Sequence, residues 1–162
     1  MFADTEHFWF FGIFAALCLL CGLLSLIDIQ RGIIPNKLNL LIALLGIIKA
    51  ILGNGPPDAI KALSQAAVIG AIFWLLRRLY FFWRKAAGLG LGDVKFLAAA
   101  GTWIGIAGLP ILLLIATSGA LIAVGGLQLA GRDITRQTSL PFGPFLAFGL
   151  VLTALLQQLL AL

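Results

Sequence analysis

Six acidic side chains occur in the chain, and two of them stand where a charge is expensive. Asp4, Glu6, Asp58 and Asp133 fall in termini or polar breaks, whereas Asp28 and Asp93 each lie at the edge of a long apolar run. An ionisable group in or near hydrocarbon costs about 3 kcal/mol or more, which makes such residues functional candidates by default. Two carboxylates held close cannot both ionise readily, so they share a proton and titrate as a unit. The ionised member can activate a water while the protonated member polarises a carbonyl. That is the chemistry of aspartic proteolysis, which calls for no metal and no cofactor. The same pair could instead carry a proton or cation in a small transporter.

Whether the pair can meet depends on the elements that hold it. The chain has 162 residues, 62% hydrophobic and 10% charged, with a mean hydropathy of +1.12. A soluble domain carries about 25% charged residues, so the bilayer must be the solvent for most of this surface. A span needs roughly 20 apolar residues. The expected spans are 8–27, 37–52, 59–82, 93–108, 110–130 and 141–162. The expected fold is therefore all-α, a polytopic integral membrane helix bundle of about six transmembrane helices forming a single domain over 1–162. The fourth span is short and could be partly re-entrant. The first run is too long and too poorly flanked for a cleaved signal peptide.

Asp28 ends the first span and Asp93 begins the fourth. The two spans between them make one round trip, so the carboxylates are expected on one side of the membrane at similar depth. The polar segment before Pro141 returns to that side as well. Basic residues set the orientation. Arg31, Lys37, Arg77, Arg78, Arg84, Lys85, Lys95, Arg132 and Arg136 fall on the side of the carboxylates, against Lys49 and Lys61 on the other. The positive-inside rule puts the larger set in the cytoplasm, with both termini outside. The formal charge of +5 is thus read as topology and lipid contact, with no nucleic-acid partner. Cys18 and Cys21 share a Cys-x-x-Cys spacing, but a zinc site needs about four ligands and the lone histidine, His7, is far away; they read as packed thiols.

Gly88, Gly90 and Gly92 alternate just before Asp93. They leave one face without side chains, so the backbone can bend there and an extended peptide can approach; a plain flexible linker is the other reading. Phe8, Trp9, Phe10 and Phe11 read as an interfacial aromatic belt, with Trp74, Tyr80, Phe81, Phe82 and Trp83 as its counterpart at the opposite face. Gly119, Gly125 and Gly126 suggest close helix packing.

Three stretches carry a family resemblance. Gly90-Leu91-Gly92-Asp93, followed by Val94-Lys95, resembles the GxGD motif of the type IV prepilin peptidases. Asp28, followed after an interval by Ile34-Pro35-Asn36-Lys37-Leu38, resembles that family's first aspartate motif. Pro141-Phe142-Gly143-Pro144 resembles its late Pro-Phe-Gly-Pro segment. The motifs occur in the family's order over most of the chain. Signal peptide peptidase and presenilin share GxGD, but they pair it with Tyr-Asp and Pro-Ala-Leu; here Ile27 precedes Asp28 and no Pro-Ala-Leu occurs.

The resemblance implies an intramembrane aspartyl endopeptidase of the bacterial inner membrane. Its partners would be the bilayer and a prepilin or pseudopilin, whose basic leader it removes at the cytoplasmic face for type IV pilus assembly or protein secretion. Asp28 and Asp93 carry over as the catalytic pair. Gly88, Gly90 and Gly92 correspond to the catalytic loop and substrate approach, while Lys95, Pro35, Asn36, Pro141, Gly143 and Pro144 match motif positions. Larger members carry an N-terminal region associated with methylation by S-adenosylmethionine. The sequence here opens on the first span, so methyltransferase activity is doubtful, and the short form resembles either the peptidases of tight-adherence pilus systems or a trimmed version of the larger enzyme.

Overall fold

A computed structural model describes residues 3–84, 89–130 and 141–160, with side chains described from Trp9 onward except that of Arg84. It contains α1 (Ala3–Arg31), α2 (Asn36–Asn54), α3 (Pro56–Arg84), α4 (Leu91–Leu129) and α5 (Gly143–Leu160). All five are long and apolar enough to cross a membrane. Leu19, Leu23 and Leu26 of α1 and Leu40 and Leu44 of α2 face outward, fully or largely exposed. Lipid is the solvent that tolerates such a surface. The protein is an all-helical integral membrane bundle.

Among the described residues the five helices trace six helical segments, because α4 is broken within. Gly105, at φ 62° and ψ −172°, breaks α4, and only glycine adopts that backbone readily. Before the break, Asn39 reaches the Gly92 carbonyl and Gly46 faces Thr102, so this part runs alongside α2 in the same direction. It runs antiparallel to α3, with Ala98 against Gly70 and Gly101 against Ala66. After the break, Gln157 at the far end of α5 donates to the Ile104 carbonyl at 3.0 Å, while Gly119 lies against Phe145 at its start. The second part of α4 therefore returns along α5. The sequence reading placed this turn at 108–110; the reversal falls earlier because Gly105 supplies the required backbone, and Pro110 lies within the returning segment.

The first part of α4 is the centre of the bundle. Phe96, Leu97, Ala100, Trp103 and Ile104 are all buried. Small residues permit this: a methyl on Gly101 would stand 3.1 Å from the Ala66 Cα, so helix backbones approach closely there. Trp103 donates its indole N–H to the Ile42 carbonyl at 2.8 Å, which fixes α4 against α2. The segment Leu91–Ile104 spans roughly 21 Å at 1.5 Å per residue, less than the roughly 30 Å of a hydrocarbon core.

Around this centre α1 presents an inward stripe of Phe10, Leu17, Cys21 and Leu24, at the spacing of one helical face. Asp28 is its next member and is 5% exposed. Phe10 departs from the expected aromatic belt: it is buried and stacks on Phe14, with ring centroids 5.8 Å apart. Its i, i+4 spacing to Phe14 puts it on the packed face. The side chain of Phe8 lies outside the described residues. Trp74, Tyr80, Phe81, Phe82 and Trp83 are all exposed. Cys18 and Cys21 are free.

Candidate active site

Four helix ends converge on the two carboxylates, and local sequence explains each. Gly32, at φ 63°, ends α1 in the left-handed conformation, and its N–H bonds the Asp28 carbonyl at 2.8 Å. Pro35 forces the chain to restart, because the residue before a proline is pushed out of the helical region. Its carbonyl then accepts from Leu38 and Asn39 in the first turn of α2. Gly90 is extended, at φ −64° and ψ 143°, and opens α4. Phe142 opens α5, its carbonyl accepting from Phe145 and Leu146 at 3.1 Å each. Three of the four ends are thus helix N-termini, where backbone N–H groups and the helix dipole favour negative charge.

Asp28 and Asp93 line one cavity of about 430 Å³, shared with Asn36, Gly90, Gly92 and Lys95 and closed on one side by Pro141. Asp28 is buried and takes the N–H of Gly143 on its Oδ2 at 2.8 Å. Asp93 is half-buried in the first turn of α4. Lys95, exposed at the cavity edge, donates to the Asn36 Oδ1 at 2.9 Å and ties α4 to the start of α2. The cavity brings together acid, cation and amide groups around open space.

The remaining residues flagged by sequence have other places. Gly143 does not line the cavity, but a methyl on it would stand 2.6 Å from the Asp28 Oδ2. Glycine is what lets the backbone reach the carboxylate. Pro35 caps α2, and Pro144 sits in the first turn of α5, where proline is well tolerated. Gly92 is a first-turn residue of α4 rather than a loop residue, because α4 begins at Leu91. A methyl there would stand 3.0 Å from the Ile34 Cβ, and one on Gly90 would stand 2.9 Å from the Asp93 Oδ2. Neither glycine has positive φ; close approach is their structural reason. Gly88 lies outside the described residues.

Ile33, Ile34, Leu91 and Phe142 add apolar side chains to the cavity lining, and sequence reasoning gave none of them a role of its own. It also passed over Asn39, buried at 4% exposure beneath the site. Its amide reaches the Gly92 carbonyl at 3.5 Å, and its Oδ1 finds no partner among the described residues. An asparagine one turn after Asn36, inside an apolar helix, was the available signal. Arg77 donates to the Leu89 carbonyl at 2.9 Å and holds the approach to α4 against α3.

Fold and site together define a polytopic helical membrane protein with a recessed pair of carboxylates. Residues 15–125 match the type IV leader peptidase family, and the chain belongs to that family. It is 37% identical over 150 residues to a prepilin leader peptidase/N-methyltransferase of Xanthomonas campestris, covering 86% of this chain and 50% of that protein. A protein of the same name from Burkholderia pseudomallei is 38% identical over 146 residues, covering 86% and 43%. The leader peptidase HopD of Escherichia coli is 38% identical over 131 residues, covering 77% of this chain and 80% of that one. The chain spans about half the length of the first two. No solved structure gives a significant match. These relatives are named as leader peptidases, and the transporter reading gains no support from them.

Proposed function

We propose that the protein is an intramembrane aspartyl endopeptidase that removes the basic leader from prepilins or pseudopilins. The observation that carries this reading is one cavity lined by both Asp28 and Asp93, in a chain of the type IV leader peptidase family. The two carboxylates have unlike surroundings. Asp28 accepts the Gly143 N–H at the N-terminal end of α5, which holds that carboxylate oxygen in place, whereas Asp93 is half-buried in the first turn of α4. One carboxylate of the pair takes a proton from the attacking water, and the other donates its proton to the scissile carbonyl oxygen. The resulting tetrahedral diol collapses as the proton taken from water passes to the leaving nitrogen, the C–N bond breaks, and a diol hydroxyl returns its proton to the other carboxylate. The two oxygens then return to sharing one proton.

Gly90 leaves room for an extended substrate backbone beside Asp93. Lys95 and Asn36 position the start of α4 against α2. The enzyme sits in the bacterial inner membrane, its site opening to the cytoplasm and both termini outside, since nine of eleven basic residues fall on the side of the carboxylates.

The test mixes the purified, reconstituted protein with a prepilin bearing its leader and sequences the N-terminus of the product. Cleavage at the leader junction, absent from Asp28→Asn and Asp93→Asn proteins that remain folded, is the expected result. Normal cleavage by either variant defeats the paired-carboxylate mechanism.

A further inference from the structure

At the end of the bundle away from the aspartates lies a second cavity, of about 610 Å³, lined by Trp9, Lys49, Lys61, Gln65, Thr102 and Trp103 among others. Its floor is recessed. Gly46 and Thr102 are both buried, and Gly46 precedes the end of α2 at Asn54 by roughly 12 Å at 1.5 Å per residue. A lysine near a helix end normally extends its ammonium out toward water. Lys49 instead turns inward. It donates to the Trp103 carbonyl at 3.4 Å and lies 5.5 Å from the Trp103 ring and 6.0 Å from the Phe10 ring. Two ring faces and one carbonyl stabilise a cation but do not neutralise it. An ammonium has three donors, and among the described residues only that carbonyl accepts from Lys49.

The rest of the lining suits an anion. Lys61 adds a second cation, and Gln65, Gln158 and Asn54 carry amide groups. Asp58 is the one carboxylate of the lining among the described residues, and it is tied into the α2–α3 turn by the Asn54 amide at 2.6 Å. Next in sequence to the lining residues Gly53, Lys61 and Gly105, the apolar Leu52, Ile60 and Ile106 are exposed. A ligand here meets cations and amides at one end and an oily surface at the other.

We propose that this cavity seats the phosphate of an anionic membrane lipid, its phosphate oxygens on the Lys49 and Lys61 ammoniums and its acyl chains along the exposed apolar residues. A compact tetrahedral anion with several acceptor oxygens matches the free donors, and the attached chains distinguish a lipid from a soluble phosphate. The proposal stands apart from peptidase activity, and its test contains no prepilin.

The reconstituted full chain is placed in phosphatidylcholine nanodiscs with increasing phosphatidylglycerol, reading bound lipid by native mass spectrometry and thermal stability in parallel, since a ligand of the folded state raises the unfolding temperature. Lys49→Gln is expected to weaken phosphatidylglycerol binding about tenfold or more, the usual effect of removing one charge-assisted hydrogen bond, with a smaller loss in Lys61→Gln and retention in Lys49→Arg. Arg78→Gln, which removes a charge near the exposed ring of Trp74, is the control and should bind normally. Equal losses in Lys49→Gln and Arg78→Gln mean diffuse attraction to a basic protein and overturn the site. Stabilisation by inorganic phosphate in pure phosphatidylcholine, equal to that by phosphatidylglycerol, overturns the lipid occupant. Should Lys49→Gln fail to reconstitute, undiminished binding by Lys61→Gln together with Lys49→Met overturns the proposal as well.

Discussion

The two ends of the central segment of α4 carry opposite chemistry. Its start brings Asp93 beside Asp28 where α2 and α5 also begin. Its end brings the Trp103 carbonyl to Lys49, near the last turn of α2. Helix N-termini favour anions and C-termini favour cations, in keeping with Asp93 in the first turn of α4 and Lys49 near the last turn of α2. The segment is also short, roughly 21 Å over Leu91–Ile104. That is less than the roughly 30 Å of a hydrocarbon core, and polar groups line a cavity at each of its ends. The difference teaches that burial alone does not make a site. The aspartate end has two carboxylates converging on one cavity, whereas the other end has Lys49 turned inward onto rings and Lys61 in the lining of a second cavity.

The comparison breaks first at the aspartates. Asp28→Asn or Asp93→Asn should lower prepilin cleavage by about 10²–10⁴-fold, the usual contribution of a positioned acid or base, while circular dichroism and melting stay near wild type. Next, Gly143→Ala forces a methyl into the Asp28 carboxylate. Cleavage should fall by about 10²-fold, the scale of a 1 Å misplacement, and the loss should appear in kcat more than in KM. The cleavage rate of the wild type should trace a bell against pH, lost at low pH when both carboxylates are protonated and at high pH when both are ionised. A monotonic profile would remove the shared proton from the account.

Smaller effects separate architecture from chemistry. Gly101→Val overpacks the α3–α4 contact and should cost about 1–3 kcal/mol of stability, read as a lower melting temperature, with unchanged cleavage per folded molecule. Trp103→Phe removes the indole bond to Ile42 and should cost about 1 kcal/mol. Equal damage to cleavage from Gly101→Val and Gly143→Ala would erase the distinction between the scaffold and the aspartate end.

Much of this was legible in the chain itself. Asp28 and Asp93 stand out because charges at the edges of apolar runs are rare, and span parity puts them at the same end of the bundle. Six segments were legible too, from apolar length. Sequence could not say that the reversal in α4 falls at Gly105, since Gly105, Gly108 and Pro110 are all plausible breaks until Gln65 is seen packed against Gly105. Nor could it say that Gly143 gives its amide to Asp28, because that contact depends on which spans are neighbours. Phe10 and Asn39 were misjudged or missed for the same reason: a helix face is assigned inward only when its partner is known.

The bond between Gly143 and Asp28 joins residues 115 positions apart. During synthesis the carboxylate leaves the ribosome early and its donor late. Until the final helix docks, the unfinished molecule holds an acid in the membrane with that acceptor oxygen unserved. Insertion of α5 therefore does two things at once: it closes the wall of the bundle and completes the aspartate end, so a nascent chain in transit lacks the amide that serves Asp28.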